Sequence, residues 1–126
     1  MFQSEIRFPV VVSFDYDPAA DDQIPIWRAP MAATIKSAYV TVANNVSAHT
    51  ANYFSVHLRN GGPNGSAATV ISSTVGGTVG WTGLAPQAFT ITAADIAAGD
   101  VLCLYYDEEG TGTFGQLTVQ LDVVYK

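Results

Sequence analysis

The sequence predicts an all-β fold, a β-sandwich of jelly-roll type with about eight antiparallel strands and an extended N-terminal segment. Three observations predict it. Apolar residues recur at alternate positions over several short runs, the period of a pleated strand whose successive side chains point to opposite faces. Clusters of Gly, Pro, Asn and Asp separate those runs. Helix-compatible sequence is confined to residues 93–98, with Thr92 as a cap and Gly99 as a stop.

In chain order, residues 8–16 set Val10, Val12, Phe14 and Tyr16 on one face, with Pro9 at the start of a strand or on a sheet edge. An Asp-rich turn follows, and then 24–30, held extended by Pro25 and Pro30, with Trp27 between them as an anchor. Residues 33–62 organise the rest. Phe54, Val56 and Leu58 alternate against Tyr53, Ser55, His57 and Arg59. Ala38, Val40 and Val42 alternate too, but Ile35 is out of phase with them, which predicts a β-bulge near Ser37. These two runs are expected at the centre of the sandwich. Gly61-Gly62-Pro63-Asn64-Gly65 is a turn and 69–73 a short strand, while 76–83, glycine-rich around Val79 and Trp81, reads as strand or loop. Phe89 and Ile91 share a face of 87–92. Residues 101–106 are apolar on both faces, as a central strand should be, and 107–112 form the next turn. The run 116–125 sets Leu117, Val119, Leu121, Val123 and Tyr125 toward the core.

The 126 residues suffice for one sandwich domain, 25–126, preceded by an N-terminal strand or arm, 1–24. The arm could complete its own sheet or add to that of a neighbour. Hydrophobic residues make up 48% and charged ones 13%, about half the usual charged share, so the surface is rich in neutral polar groups or is covered by another chain. That favours a homo-oligomer, a dimer or trimer. Five Lys and Arg against eleven Asp and Glu leave a net charge of −6, which cannot neutralise a run of phosphates and argues against nucleic-acid binding. No window approaches the roughly 20 apolar residues of a membrane helix. The N-terminus lacks the pattern of a secretory signal, which predicts synthesis in a cytoplasm. Cys103, the single cysteine, lies in an apolar run and reads as a buried inert thiol.

Little in the sequence points to chemistry. Asp15, Asp17, Asp21 and Asp22 are dense enough for a cation but lack the glycine and closing glutamate of an EF-hand, and a solvated Asx-type turn accounts for them. Asp107, Glu108 and Glu109 suit a hairpin tip. His49 and His57 have no third ligand at a fixed spacing, and neighbouring Ser47 and Ser55 carry no nucleophile-elbow sequence. No catalytic, metal or cofactor site is predicted. The informative residues are aromatic: Tyr39, Tyr53 and Trp81 are expected on outer surfaces, where they suit a protein interface or sugar stacking. With Val12, Phe14 and Tyr16 of the N-terminal strand and the anchor Trp27, they form the candidate interface.

Three stretches carry a family resemblance: Ile-Trp-Arg-Ala-Pro-Met-Ala-Ala-Thr-Ile, Asn-Tyr-Phe-Ser-Val-His-Leu-Arg-Asn-Gly-Gly, and Ala-Ala-Gly-Asp-Val-Leu-Cys-Leu. Together with the alternating terminal strand they resemble small structural proteins of tailed bacteriophages over residues 25–125. The resemblance implies a capsid decoration (cement) protein of jelly-roll fold, or a module of a head or tail fibre. It implies a non-enzymatic role on the capsid exterior with the major capsid protein as partner, and it carries no binding residues over. The rival expectation is a carbohydrate-binding or host-attachment module.

Overall fold

In the computed structural model of the chain, the described residues are 7–14, 22–70, 75–77, 80–110 and 115–126. Among them are ten strands and no α-helix: β1 (Arg7–Phe14), β2 (Asp22–Arg28), β3 (Ala33–Val42), β4 (Tyr53–Asn60), β5 (Thr69–Val70), β6 (Val75–Gly77), β7 (Gln87–Ala88), β8 (Asp95–Ile96), β9 (Val101–Glu109) and β10 (Leu117–Tyr125). One sheet runs β1-β10-β3-β7, with β8 also on β3. The other runs β2-β9-β4-β5, with β6 also on β4. All pairings are antiparallel.

The pairings are nested. β1 pairs with β10, β2 with β9, β3 with β7 and β8, and β4 with β5 and β6. The first half of the chain therefore lies along the second half in reverse order, as one long ribbon. Wrapping that ribbon on itself brings β10 beside β3 and β9 beside β4. This is jelly-roll connectivity, and it makes β1 to β4 alternate between the two sheets. The two central runs lie in different sheets, β3 in the first and β4 in the second.

Alternation decides the core. Ala38, Val40 and Val42 of β3, Phe54, Val56 and Leu58 of β4, and Leu117, Val119, Leu121 and Val123 of β10 are all buried. The bulge lies where the phase break placed it. Asp122 pairs with Ser37 and Val123 with Ile35, so Lys36 is the extra residue, exposed, while Ile35 keeps its place in the core. β9 is central in its sheet, between β2 and β4, which explains its two apolar faces.

Three expectations change. Residues 93–98 hold the strand β8 rather than a helix, because Ala33 and Thr34 offer a free edge to Ile96 and Asp95. Asp107 to Glu109 continue β9, and the turn begins at Gly110 with φ +65°. Tyr125 is 38% exposed; it lies against Phe8, ring centroids 4.5 Å apart, rather than inside the sandwich. Apart from these, β2 spans Asp22–Arg28, and β1 is hydrogen-bonded to β10 as an edge strand of the first sheet.

Candidate interaction surface

The seven residues of the candidate interface separate. Val12 and Phe14 point from β1 into the sandwich, Phe14 buried and Val12 packed against the core. Trp27 is the anchor its flanking prolines suggested: it packs on the core, 6.0 Å from the Phe8 ring. Tyr53 is half-buried at the start of β4, opposite Glu109. Tyr16 lies outside the described residues. Of the three aromatics expected on outer surfaces, only Tyr39 is exposed, at 42%.

Trp81 is the clear correction. It is 4% exposed and sits with its ring 5.0 Å from that of Phe54 in the core. The glycines around it are the reason. A Cβ at Gly80 would come within 2.9 Å of Val46 O, and one at Gly83 within 2.8 Å of Asn44 C. Without side chains there, the loop closes onto residues 43–48, Val46 and Trp81 exchange backbone hydrogen bonds of 2.9 and 2.8 Å, and the indole reaches the interior.

Tyr39 belongs to the outer face of the first sheet. There Val11, Gln120, Tyr39 and Ala88 are successive register partners across β1, β10, β3 and β7. The next row is Ser13, Thr118 and Thr41, with a 2.9 Å hydrogen bond between the Ser13 and Thr118 hydroxyls. Beyond it lies a groove of about 300 Å³, lined by Phe14, Val42, Gln116 and Leu84 as well as by that row. Leu84 is 76% exposed at φ +65°, held by its N–H donating to Val42 O at 2.8 Å. Charge gathers at the opposite end of the sheet. Arg7 pairs with Asp122 at 3.1 Å and Lys126 with Asp95 at 3.0 Å. The bonds from Lys126 and Thr34 hold the Asp95 carboxyl below its ordinary range. Val11 was legible as the outward residue between Val10 and Val12; nothing in the sequence announced Leu84.

The outer face of the second sheet is tied together by its own side chains, although the buried Arg59 Nε has no hydrogen-bond partner among the described residues. The Arg59 guanidinium lies 3.7 Å over the Tyr105 ring and donates to Gln23 Oε1 at 3.1 Å. Gln23 Nε2 in turn donates to the carbonyls of Gly65 and Ala67 at 2.9 and 2.8 Å, tying the loop after β4 over this face. Cys103 is buried beneath it, and burial pushes its thiol up, away from the nucleophilic thiolate. His57 packs 5.6 Å from the Tyr105 ring; burial and then the Arg59 charge push its pKa down, and Asp107 opposes them. His49 serves its own turn, its Nδ1 accepting the N–H groups of Ala51 and Asn52 at 3.0 and 2.8 Å. Among the described residues no group of three or more His, Cys, Asp or Glu is placed to hold a metal ion, and no helix is long and apolar enough to cross a membrane. Of the acidic cluster only Asp22 is described; Asp15, Asp17 and Asp21 lie outside.

No protein-family model and no curated protein matches the sequence. Solved structures do match. The fold is similar to that of a bacteriophage capsid chain. That neighbour comes from the acidic stable capsid structure of Helicobacter pylori bacteriophage KHP30; the match has a TM-score of 0.58 at 11% identity over 94% of the present chain and 87% of the neighbour. The two chains are therefore of comparable length, and one sandwich accounts for most of each. Chains of infectious bursal disease virus, Gt and Gx strains, match at 13% identity with TM-scores of 0.37 and 0.40. The present chain spans about a third of their length, 32% and 33%. The likeness to the KHP30 capsid chain is one of fold.

Proposed function

We propose that this protein is a non-enzymatic structural component of a phage virion, which binds the outside of the assembled capsid and reinforces it. The observation that carries the reading is the two-way coverage with the KHP30 capsid chain: a single jelly roll fills both chains. The surface fits the role. Binding to the major capsid protein would bury neutral and apolar surface, which a chain with only 13% charged residues presents with little charge to desolvate. Capsid epitopes recur by symmetry, so a dimer or trimer of the protein would raise the effective concentration of each further contact. The sugar-stacking alternative has lost support, because Trp81 is in the core and Tyr53 is half-buried.

The test uses empty shells assembled from the major capsid protein of the same virus. Saturable co-sedimentation at a fixed ratio to capsid subunits, with a raised shell melting temperature, is the expected result. Failure to bind both immature and expanded shells, with binding on a glycan array instead, would overturn the reading in favour of host attachment.

A further inference from the structure

We propose that the outer face of the first sheet is a self-association surface, on which a second copy of this chain docks face to face about a two-fold axis through Gln120. The inference names a surface for the oligomer of the functional reading but rests on the isolated chain, without a shell.

Four observations carry it. The face collects exposed apolar groups: of the six large apolar side chains exposed among the described residues, Val11 and Tyr39 lie on it and Leu84 lines the groove at its rim. Its middle rows, from Val11 across to Ala88 and from Ser13 across to Thr41, contain no charge. In a chain of net charge −6, two copies can meet only where the acidic groups are elsewhere. Here three of the five basic residues, Arg7, Lys36 and Lys126, gather at one end of the same sheet with Asp122 and Asp95, so the face as a whole is not acidic.

The third observation is the centre. Gln120 lies on the central strand β10 with Val11 and Tyr39 as its register partners on either side. An amide carries both donor and acceptor and satisfies its own copy, which no carboxylate or ammonium does. A two-fold axis lying in the interface and running across the strands sets Gln120 on Gln120, Val11 on Val11 and Tyr39 on Tyr39. It also sets Asp122 opposite Thr118 of the second copy, one pair up and one pair down from the axis. The other in-plane axis, along β10, would bring Asp122 onto its own copy and Val11 onto Tyr39; the like charges there, only partly offset by Arg7, disfavour it. The fourth observation is size. β1, β10 and β3 at about 4.8 Å spacing and about eight residues at 3.4 Å, with the two-residue strands β7 and β8 beside β3, give roughly 450 Å² per copy, just under the ~1,000 Å² total at which specific interfaces begin. An interface of this size belongs with weak, transient associations.

Sedimentation equilibrium of the full chain between about 1 and 100 µM decides it. The expected mass rises from 13.3 kDa toward twice that value. Val11→Lys and Tyr39→Lys, each of which sets a cation against its own copy, should weaken association at least tenfold. Val70→Lys and Met31→Lys, at exposed apolar positions elsewhere, should leave it unchanged. Thr118→Lys should strengthen association, because the partner's Asp122 then faces a cation. Circular dichroism verifies that each variant is folded. A native monomer at 100 µM, association indifferent to Val11 and Tyr39, or weakening by Thr118→Lys would each overturn the proposal, and none of them bears on shell binding.

Discussion

Deleting one residue from a strand ordinarily reverses every side chain on one side of the cut, and the bulge in β3 makes Lys36 an exception. Ser37 and Lys36 both point outward, and Ile35 pairs with Val123 directly after Ser37 pairs with Asp122. Removing Lys36 leaves Ala38 in, Ser37 out, Ile35 in, Thr34 out and Ala33 in. This is regular alternation in the register β10 already uses. The expected cost is within about 1 kcal/mol, since an exposed side chain and a local twist are all that is lost. Deleting Gln120 from unbulged β10 is different. Either Leu121 and Val123 or Leu117 and Val119 must turn outward, and all four are at most 1% exposed. Two such side chains cost about 1.5–3 kcal/mol each. Turning Leu117 and Val119 out also buries the Thr118 hydroxyl, at about 1–3 kcal/mol. The total of at least about 4 kcal/mol consumes much of the 5–15 kcal/mol of a typical domain. Urea unfolding at about 1 µM protein, followed by far-ultraviolet circular dichroism, measures both. Equal losses for the two deletions, or a larger one for Lys36, would refute the register and the bulge.

Further expectations follow from single side chains. Leu121→Asp places a carboxylate in a fully buried site and should abolish soluble folded protein, whereas Gln120→Asp, on the outer face, should keep the native dichroism. Cys103 should react with a thiol reagent far more slowly in native protein than in urea, because the thiol is buried and its pKa raised; equal rates would place it at the surface. His57 has a folded pKa below its unfolded value of 6.5, so the unfolded chain binds more protons just below that pH. Stability should fall as the pH drops through 6.5 toward the folded value, and His57→Gln should flatten that part of the melting-temperature profile; an unchanged slope would rule the residue out.

The sequence by itself determined what depends on local period. Most strand identities, the inward sets of β3, β4 and β10, and a phase break near Ser37 were legible, because a pleat assigns faces by counting residues. Buried Cys103 and the central position of β9 followed from apolarity on both faces. What only the tertiary structure decided depends on which strands meet. β3 and β4 alternate alike, yet lie in opposite sheets because β10 and β9 intervene as partners. Residues 93–98 have helix-compatible composition but become strand where the β3 edge supplies hydrogen bonds. Trp81, set among glycines, reads as exposed until the loop closes on residues 43–48 through space that only missing side chains leave. The candidate surface divides the same way: Tyr39 could be read as outward from its neighbours Ala38 and Val40. That it joins Val11, Gln120 and Ala88 in one row is a matter of register among four strands distant in sequence, and register is a property of the folded sheet.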